Sequence, residues 1–158
     1  MREFLFHFSE DPTIESFVPR VAPTQQIEGA YTWADDEDHC FRYWFPRDCP
    51  RGTWWEKSDR EKRVAAIQWD WLDRFVACEL YVYRFDGAPF RENPLGGGWI
   101  TQEMITPLDV QRVGPLLACH RDAGVEFRIV ADLRRVWADV IERTDVDFSG
   151  IRLRNLDP

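Results

Sequence analysis

The chain has 158 residues, with 20 Lys+Arg against 28 Asp+Glu for a formal charge of −8, and 44% of its residues are hydrophobic, among them 8 Trp and 11 Phe. A chain of that length buries about 68–70% of its unfolded surface without disulfides or a structural metal, which sets aside disordered, collagen-like and zinc-finger scaffolds. The acidic balance opposes the counterion release that drives non-specific DNA binding, and an acidic chain rich in flat apolar rings suits a ligand cleft better than a DNA groove.

Residues 4–9 predict a buried opening strand, apolar on both faces except at His7. This first apolar run is too short for a signal peptide, and no window approaches the roughly 20 apolar residues that span a bilayer. The expectation is a soluble, cytoplasmic protein with no membrane partner. Asp11-Pro12 ends the strand, residues 13–17 predict one helical turn, and residues 19–29 read as a loop. Residues 30–34 alternate as a second strand with Tyr31 and Trp33 on one face. Four acids, Asp35 to Asp38, then stand before His39. They predict a helix with a capping Asp and a negative first turn, closed by Pro46. The other reading of the four acids is a cation site, although as a calcium loop the run carries Cys40 at the position that needs Gly.

Residues 45–51 are too Pro-rich for regular structure and predict a rigid loop holding Arg47 and Arg51. Residues 53–56 and 64–68 read as strands around a charged turn, residues 70–76 as a short amphipathic helix, and residues 79–85 as an alternating strand ended by Asp86-Gly87. Gly96-Gly97-Gly98 reads as a hinge, since no phosphate-loop Lys follows and no helix opens there. A strand is expected over residues 99–105. Thr106-Pro107-Leu108-Asp109 then matches a capping box, predicting a helix that runs to about Asp122 and stops at Gly124, with Val110, Val113, Leu117 and His120 on one side. A strand over 125–130, a helix over 132–143 and a strand over 148–153 complete an α+β pattern. The reading is a single domain, 1–158, of mixed, mostly antiparallel strands with peripheral helices.

Cys40, Cys49, Cys78 and Cys119 form no C-x-x-C pair, so reduced thiols and no metal are expected. No G-x-S-x-G is present, which argues against a serine hydrolase, and His120-Arg121-Asp122 lacks the Asn and the Gly-rich loop of a kinase. His7 has two readings: a satisfied core histidine, or a fixed donor at a site.

Leu5-Phe6-His7-Phe8-Ser9, then Tyr31-Thr32-Trp33-Ala34-Asp35, then Trp99-Ile100-Thr101-Gln102-Glu103 ahead of Thr106-Pro107 resemble, in order and spacing, the ADP-ribosyltransferase-like superfamily. The whole chain, including residues 44–51 and 148–155, also resembles a small bacterial family of unknown function. The first resemblance implies a split sheet and a cleft for NAD or a related nucleotide, in an enzyme that transfers an ADP-ribosyl group or in a degenerate relative. By that resemblance His7 orients the ribose of NAD and Tyr31 or Trp33 stacks on nicotinamide. Glu103 bonds the nicotinamide ribose and stabilises an oxocarbenium-like transition state. The chain departs from the family's pattern in carrying Trp33 where Tyr is usual, and in lacking an acceptor-selecting residue two positions before Glu103. An RNA 2′-phosphotransferase branch of the same fold holds phosphate with several arginines, which implies Arg20, Arg47 and Arg51 as phosphate ligands. The alternative for Arg47 and Arg51 is pairing with Asp48 and neighbouring acids.

Two other classes stay open. Trp54-Trp55 and Trp69-Asp70-Trp71 would suit a module that docks a protein partner through aromatics, although core packing is the favoured account of tryptophans. Arg42, Arg47, Arg51 and Arg60 would suit a local basic strip for RNA within an acidic protein.

Overall fold

The computed structural model describes residues 1–157. The first half of the chain holds β1 (Phe4–Ser9), β2 (Thr32–Ala34), a 3-10 helix (Glu37–Tyr43), β3 (Arg51–Glu56), β4 (Arg63–Gln68), a second 3-10 turn (Trp69–Trp71) and α1 (Leu72–Ala77). The second half holds β5 (Leu80–Asp86), β6 (Arg91–Glu92), β7 (Trp99–Thr101), β8 (Asp109–Val113), α2 (Leu116–Asp122), β9 (Glu126–Val130), α3 (Leu133–Ile141), β10 (Val146–Ile151) and a last 3-10 turn (Leu153–Asn155). The class is α+β. None of these helices is long and apolar enough to cross a membrane.

The chain divides into two compact units, each discontinuous in sequence: residues 1–40 with 81–112, and residues 41–80 with 113–157. In the first unit, β1 pairs antiparallel with β5, which β8 flanks on its other side. A second sheet has the order β2-β7-β6, with both pairings antiparallel. Backbone bridges tie the sheets and loops together: Phe6 with Asp35, Phe17 with Ile105, and Arg20 with Tyr31. Leu5, Ala34, Tyr83, Phe85, Phe90, Trp99 and Ile105 form the core, and Ile14, Phe17 and Tyr81 pack against it.

The second unit is built on a four-stranded sheet of order β10-β3-β4-β9. Its β3–β4 and β3–β10 pairings are antiparallel and β4–β9 is parallel. Ala65, Ala66 and Ile67 of β4 are fully buried, as the unbroken apolar run of a central strand covered on both faces requires. On one face lies α3, whose Leu133, Val136, Trp137 and Val140 recur at i, i+3, i+4 and i+7 and meet Trp54, Val64 and Ala66. Asp132 caps this helix, its carboxylate accepting from the Arg135 N–H. The opposite face presents Phe127, whose ring meets Phe75 of α1 and His120 of α2. Phe127 lies opposite Ala65, one residue out of phase with Ala66, so the two-residue period of the strands sorts the two cores.

Several expectations change. Residues 13–17 form no helical turn: the Asp11 carboxylate accepts from both the backbone N–H and the hydroxyl of Thr13, an Asx turn that leaves the chain extended up to the Phe17 bridge. The helix after the acidic run is 3-10, and Asp36 does not cap it with its side chain but pairs with the His39 ring. The strand expected over 99–105 stops at Thr101, whose hydroxyl accepts from the Glu103 N–H and bends the backbone. The long helix expected from Thr106 is instead β8 followed by α2. Asp109 does not cap: its carboxylate takes the Arg84 guanidinium, and the Leu108 N–H bonds the Arg84 carbonyl, drawing the segment alongside β5. Gly114-Pro115 interrupts what would have been one helix, and Pro115 stands at the N-cap of α2.

Candidate functional site

The residues brought forward by the sequence fall into both units. His7, Arg20, Tyr31, Trp33 and Glu103 belong to the first, Arg47 and Arg51 to the second. His7 is half-buried in β1, where the edge of Phe17 meets its ring at 4.9 Å and Phe85 lies 6.4 Å away. Tyr31 is 5% exposed and its hydroxyl donates to the Glu28 carbonyl at 2.9 Å, so its phenol is committed to the loop before β2. Trp33 is half-buried, 6.5 Å from the Tyr31 ring, and its enclosed indole N–H has no partner among the described residues. An exposed Arg20 reaches Tyr31 through its backbone. Glu103 is exposed at the bend after β7.

The segments that carry these side chains meet through the backbone. β1 joins β2 at the Phe6–Asp35 bridge, and β2 pairs with β7 in a register that sets Trp33 opposite Ile100. The Thr32 hydroxyl is shared between the carbonyls of Phe17 at 3.3 Å and Glu103 at 3.4 Å. Phe17, whose ring touches His7, therefore lies one hydrogen-bonded residue away from Glu103. Beside that bend opens a cleft of about 400 Å³ lined by Phe90, Arg91, Thr101, Gln102 and Glu103, and of the residues singled out by the sequence only Glu103 lines it. Arg91 was not singled out by the sequence. The signal that could have found it was a cation two residues before the Asn93-Pro94 turn of a hairpin, and that hairpin itself went unrecognised.

The arginines of the proline loop divide. Arg47 is exposed. Arg51 is 3% exposed, its guanidinium donating to the carbonyls of Arg42 at 3.2 Å, Arg47 at 3.2 Å and Cys49 at 3.0 Å. Burial pushes it down to about 10, which still leaves it charged at neutral pH. The geometry makes it a brace for its own loop. Arg42 is likewise buried, so of the four arginines of the supposed RNA strip only Arg47 and Arg60 face solvent. Burial also raises the Cys49 thiol to about 12, holding it protonated and unreactive at neutral pH.

Asp35, Asp36 and His39 bring one potential ligand atom each to within 4.8 Å of one another. The Asp36 carboxylate is already engaged by the His39 ring at 2.7 Å, the Trp99 indole at 3.3 Å and Arg2 at 3.6 Å. Burial alone would raise its pKa. The hydrogen bond and charge of His39, with help from Trp99 and Arg2, outweigh burial and hold it at about 2.

His120 is a site of another kind. It is fully buried, its Nδ1 is 2.8 Å from the Leu116 carbonyl, and Nε2 has no partner among the described residues. Trp44, Phe45, Phe75 and Phe127 surround the ring. Burial, only partly offset by the bond to Leu116, lowers it to about 4 and keeps it neutral.

Of the tryptophans considered for docking, Trp54 is buried in the core under α3, whereas Trp69 is largely exposed. Residues 6–156 match the family of unknown function DUF6886, and the chain belongs to that family. No curated protein and no solved structure matches it.

Proposed function

We propose that this member of the family binds NAD or a closely related nucleotide at the cleft beside Glu103 in its first unit, and that ADP-ribosyl transfer is the chemistry the site is built for. One observation supports the reading above the others: the three segments that resemble the transferase motifs, around His7, Trp33 and Glu103, are consecutive neighbours through the Phe6–Asp35 bridge and the β2–β7 pairing. The two three-stranded sheets of that unit also suit the split sheet the resemblance implies.

In this reading Glu103 supplies a fixed negative charge where positive charge develops on the ribose as nicotinamide departs, an electrostatic role that the ground state does not need. His7, held by Phe17 and Phe85, serves as a positioned hydrogen-bonding group for a ribose hydroxyl. Trp33 is the better candidate for the aromatic face, because Tyr31 is buried and its hydroxyl is committed to Glu28.

Isothermal titration with NAD, paired with measurement of nicotinamide release, tests this. Wild-type protein is expected to bind NAD, His7→Ala to bind at least about tenfold more weakly, and Glu103→Gln to bind within a few-fold of wild type yet release nicotinamide roughly 10²–10³-fold more slowly. Absence of NAD binding by the wild-type chain, or release from Glu103→Gln at the wild-type rate, refutes the reading.

A further inference from the structure

Most of the arginines whose contacts are described have an acidic or carbonyl partner. Arg84 takes Asp109, Arg121 takes Asp122, Arg128 takes Glu126, Arg143 takes Asp145, and Arg51 takes three carbonyls of its loop. Arg91 differs. It is exposed on β6, an edge strand only two residues long, and it lines the cleft together with Glu103. Among the described residues its guanidinium has no carboxylate partner; its one contact is with the Tyr31 ring, 5.9 Å from the centroid.

Tyr31 is well suited to hold that cation. It is buried, its hydroxyl is tied to Glu28, and its backbone bridges Arg20 in both directions. A guanidinium over such a ring loses part of its freedom before any ligand arrives, while its edge donors stay available. Arg91 is also fixed from below by register, opposite Ile100, which in turn lies opposite Trp33. The neighbouring Glu92 projects to the other face of the strand by the two-residue period. Glu103 lines the same cleft without pairing to Arg91. An exposed cation and an exposed carboxylate thus line one open cleft of about 400 Å³.

We infer that Arg91 is the phosphate-binding residue of this cleft, gripping the diphosphate of a nucleoside diphosphate from the Tyr31 shelf. The planar fork of Arg matches phosphate oxygens in two-point geometry, which a Lys ammonium cannot reproduce. The carboxylate of Glu103 selects against a bare anion and in favour of a ligand whose other end carries hydroxyls or positive charge. Naming the ligand a nucleotide rests on the function proposed above, but the role of Arg91 toward diphosphate does not require that any transfer takes place.

Titration calorimetry with ADP, adenosine and NAD, on wild type, Arg91→Ala, Arg91→Lys and the second-unit control Arg135→Ala, tests the inference, with circular dichroism confirming that each variant is folded. ADP binding is expected to weaken roughly 10- to 100-fold in Arg91→Ala and by an intermediate factor in Arg91→Lys, with Arg135→Ala unchanged. Adenosine binding should change by less than about twofold across all four proteins. Failure of ADP to bind the wild-type chain, or equal ADP affinity in wild type and Arg91→Ala, overturns the assignment. If ADP binding depends on Arg91 while NAD neither binds nor turns over, the diphosphate site stands and the transferase reading falls. If NAD binds with the same affinity in wild type and Arg91→Ala, the transferase reading stands and the assignment of Arg91 falls.

Discussion

Acidification from pH 7 to pH 4 should destabilise the second unit through a single side chain, His120. Its ring is fully buried in α2 among Trp44, Phe45, Phe75 and Phe127, none of which titrates or accepts a proton, and only Nδ1 has a partner. Burial lowers the imidazole from 6.5 to about 4, so the unfolded chain takes up the proton before the folded one does. The sign follows: the contribution of neutral His120 is complete above about pH 6.5 and is lost progressively as pH falls through 4. A separation of about 2.5 pH units at about 1.4 kcal/mol each corresponds to a full loss of ~3.5 kcal/mol, of which ~3 kcal/mol is reached at pH 4, with a slope of at most about 1.4 kcal/mol per pH unit. For a domain whose total stability is typically about 5–15 kcal/mol, such a loss is readily measured. Urea unfolding followed by tryptophan fluorescence at half-unit steps from pH 8 to 4 would measure it, with His120→Leu as the partner protein. Leu is close to His in volume and does not titrate, so the difference between the two curves isolates His120 from His7, His39 and the carboxylates. The wild-type curve should fall by ~3 kcal/mol relative to that of His120→Leu on going from pH 7 to 4. Parallel curves for the two proteins would refute the claim that His120 is buried neutral.

Two substitutions probe the backbone supports of the two units. Arg51→Lys removes a planar fork that serves the carbonyls of Arg42, Arg47 and Cys49, leaving buried acceptors that an ammonium cannot reach together. It should lower stability by about 2–4 kcal/mol in denaturant melts while leaving ADP binding unchanged, which separates a brace from a phosphate ligand. Gly87→Ala would place a Cβ 1.9 Å from the carbonyl oxygen of Arg2, a backbone atom that cannot swing aside. A destabilisation of at least about 2 kcal/mol is expected in a thermal melt, and a melt within a degree or two of wild type would show that the close approach of residues 2 and 87 is absent in solution.

Where one face or one run decided the outcome, the sequence was sufficient. The alternation of residues 79–85 became β5, the unbroken apolar run after Arg63 became the central β4, and the helix after Asp132 formed with its apolar residues on one side. These signals are local: a strand covered on both faces must be apolar throughout, and a helix covered on one side must repeat every three to four residues.

Partnership at a distance decided the rest, and no local pattern encodes it. Asp109 could cap a helix or bind Arg84, 25 residues away, and the second choice turned a predicted helix into β8. Arg51 looked like a free cation in a proline loop until the loop closed its carbonyls around the guanidinium. His120 reads in sequence as one residue of an amphipathic helix, and its aromatic box draws on α1, β9 and the residues after the first 3-10 helix. Arg91 gained its meaning only from the β2-β7-β6 sheet, which sets it against Tyr31, 60 positions earlier in the chain, and on the same cleft as Glu103. Composition and periodicity determine which residues must be buried and in what element. Which charge finds a partner, and which is left facing a cleft, depends on strand order and register, because a charged group is satisfied by whatever the fold brings within hydrogen-bond reach.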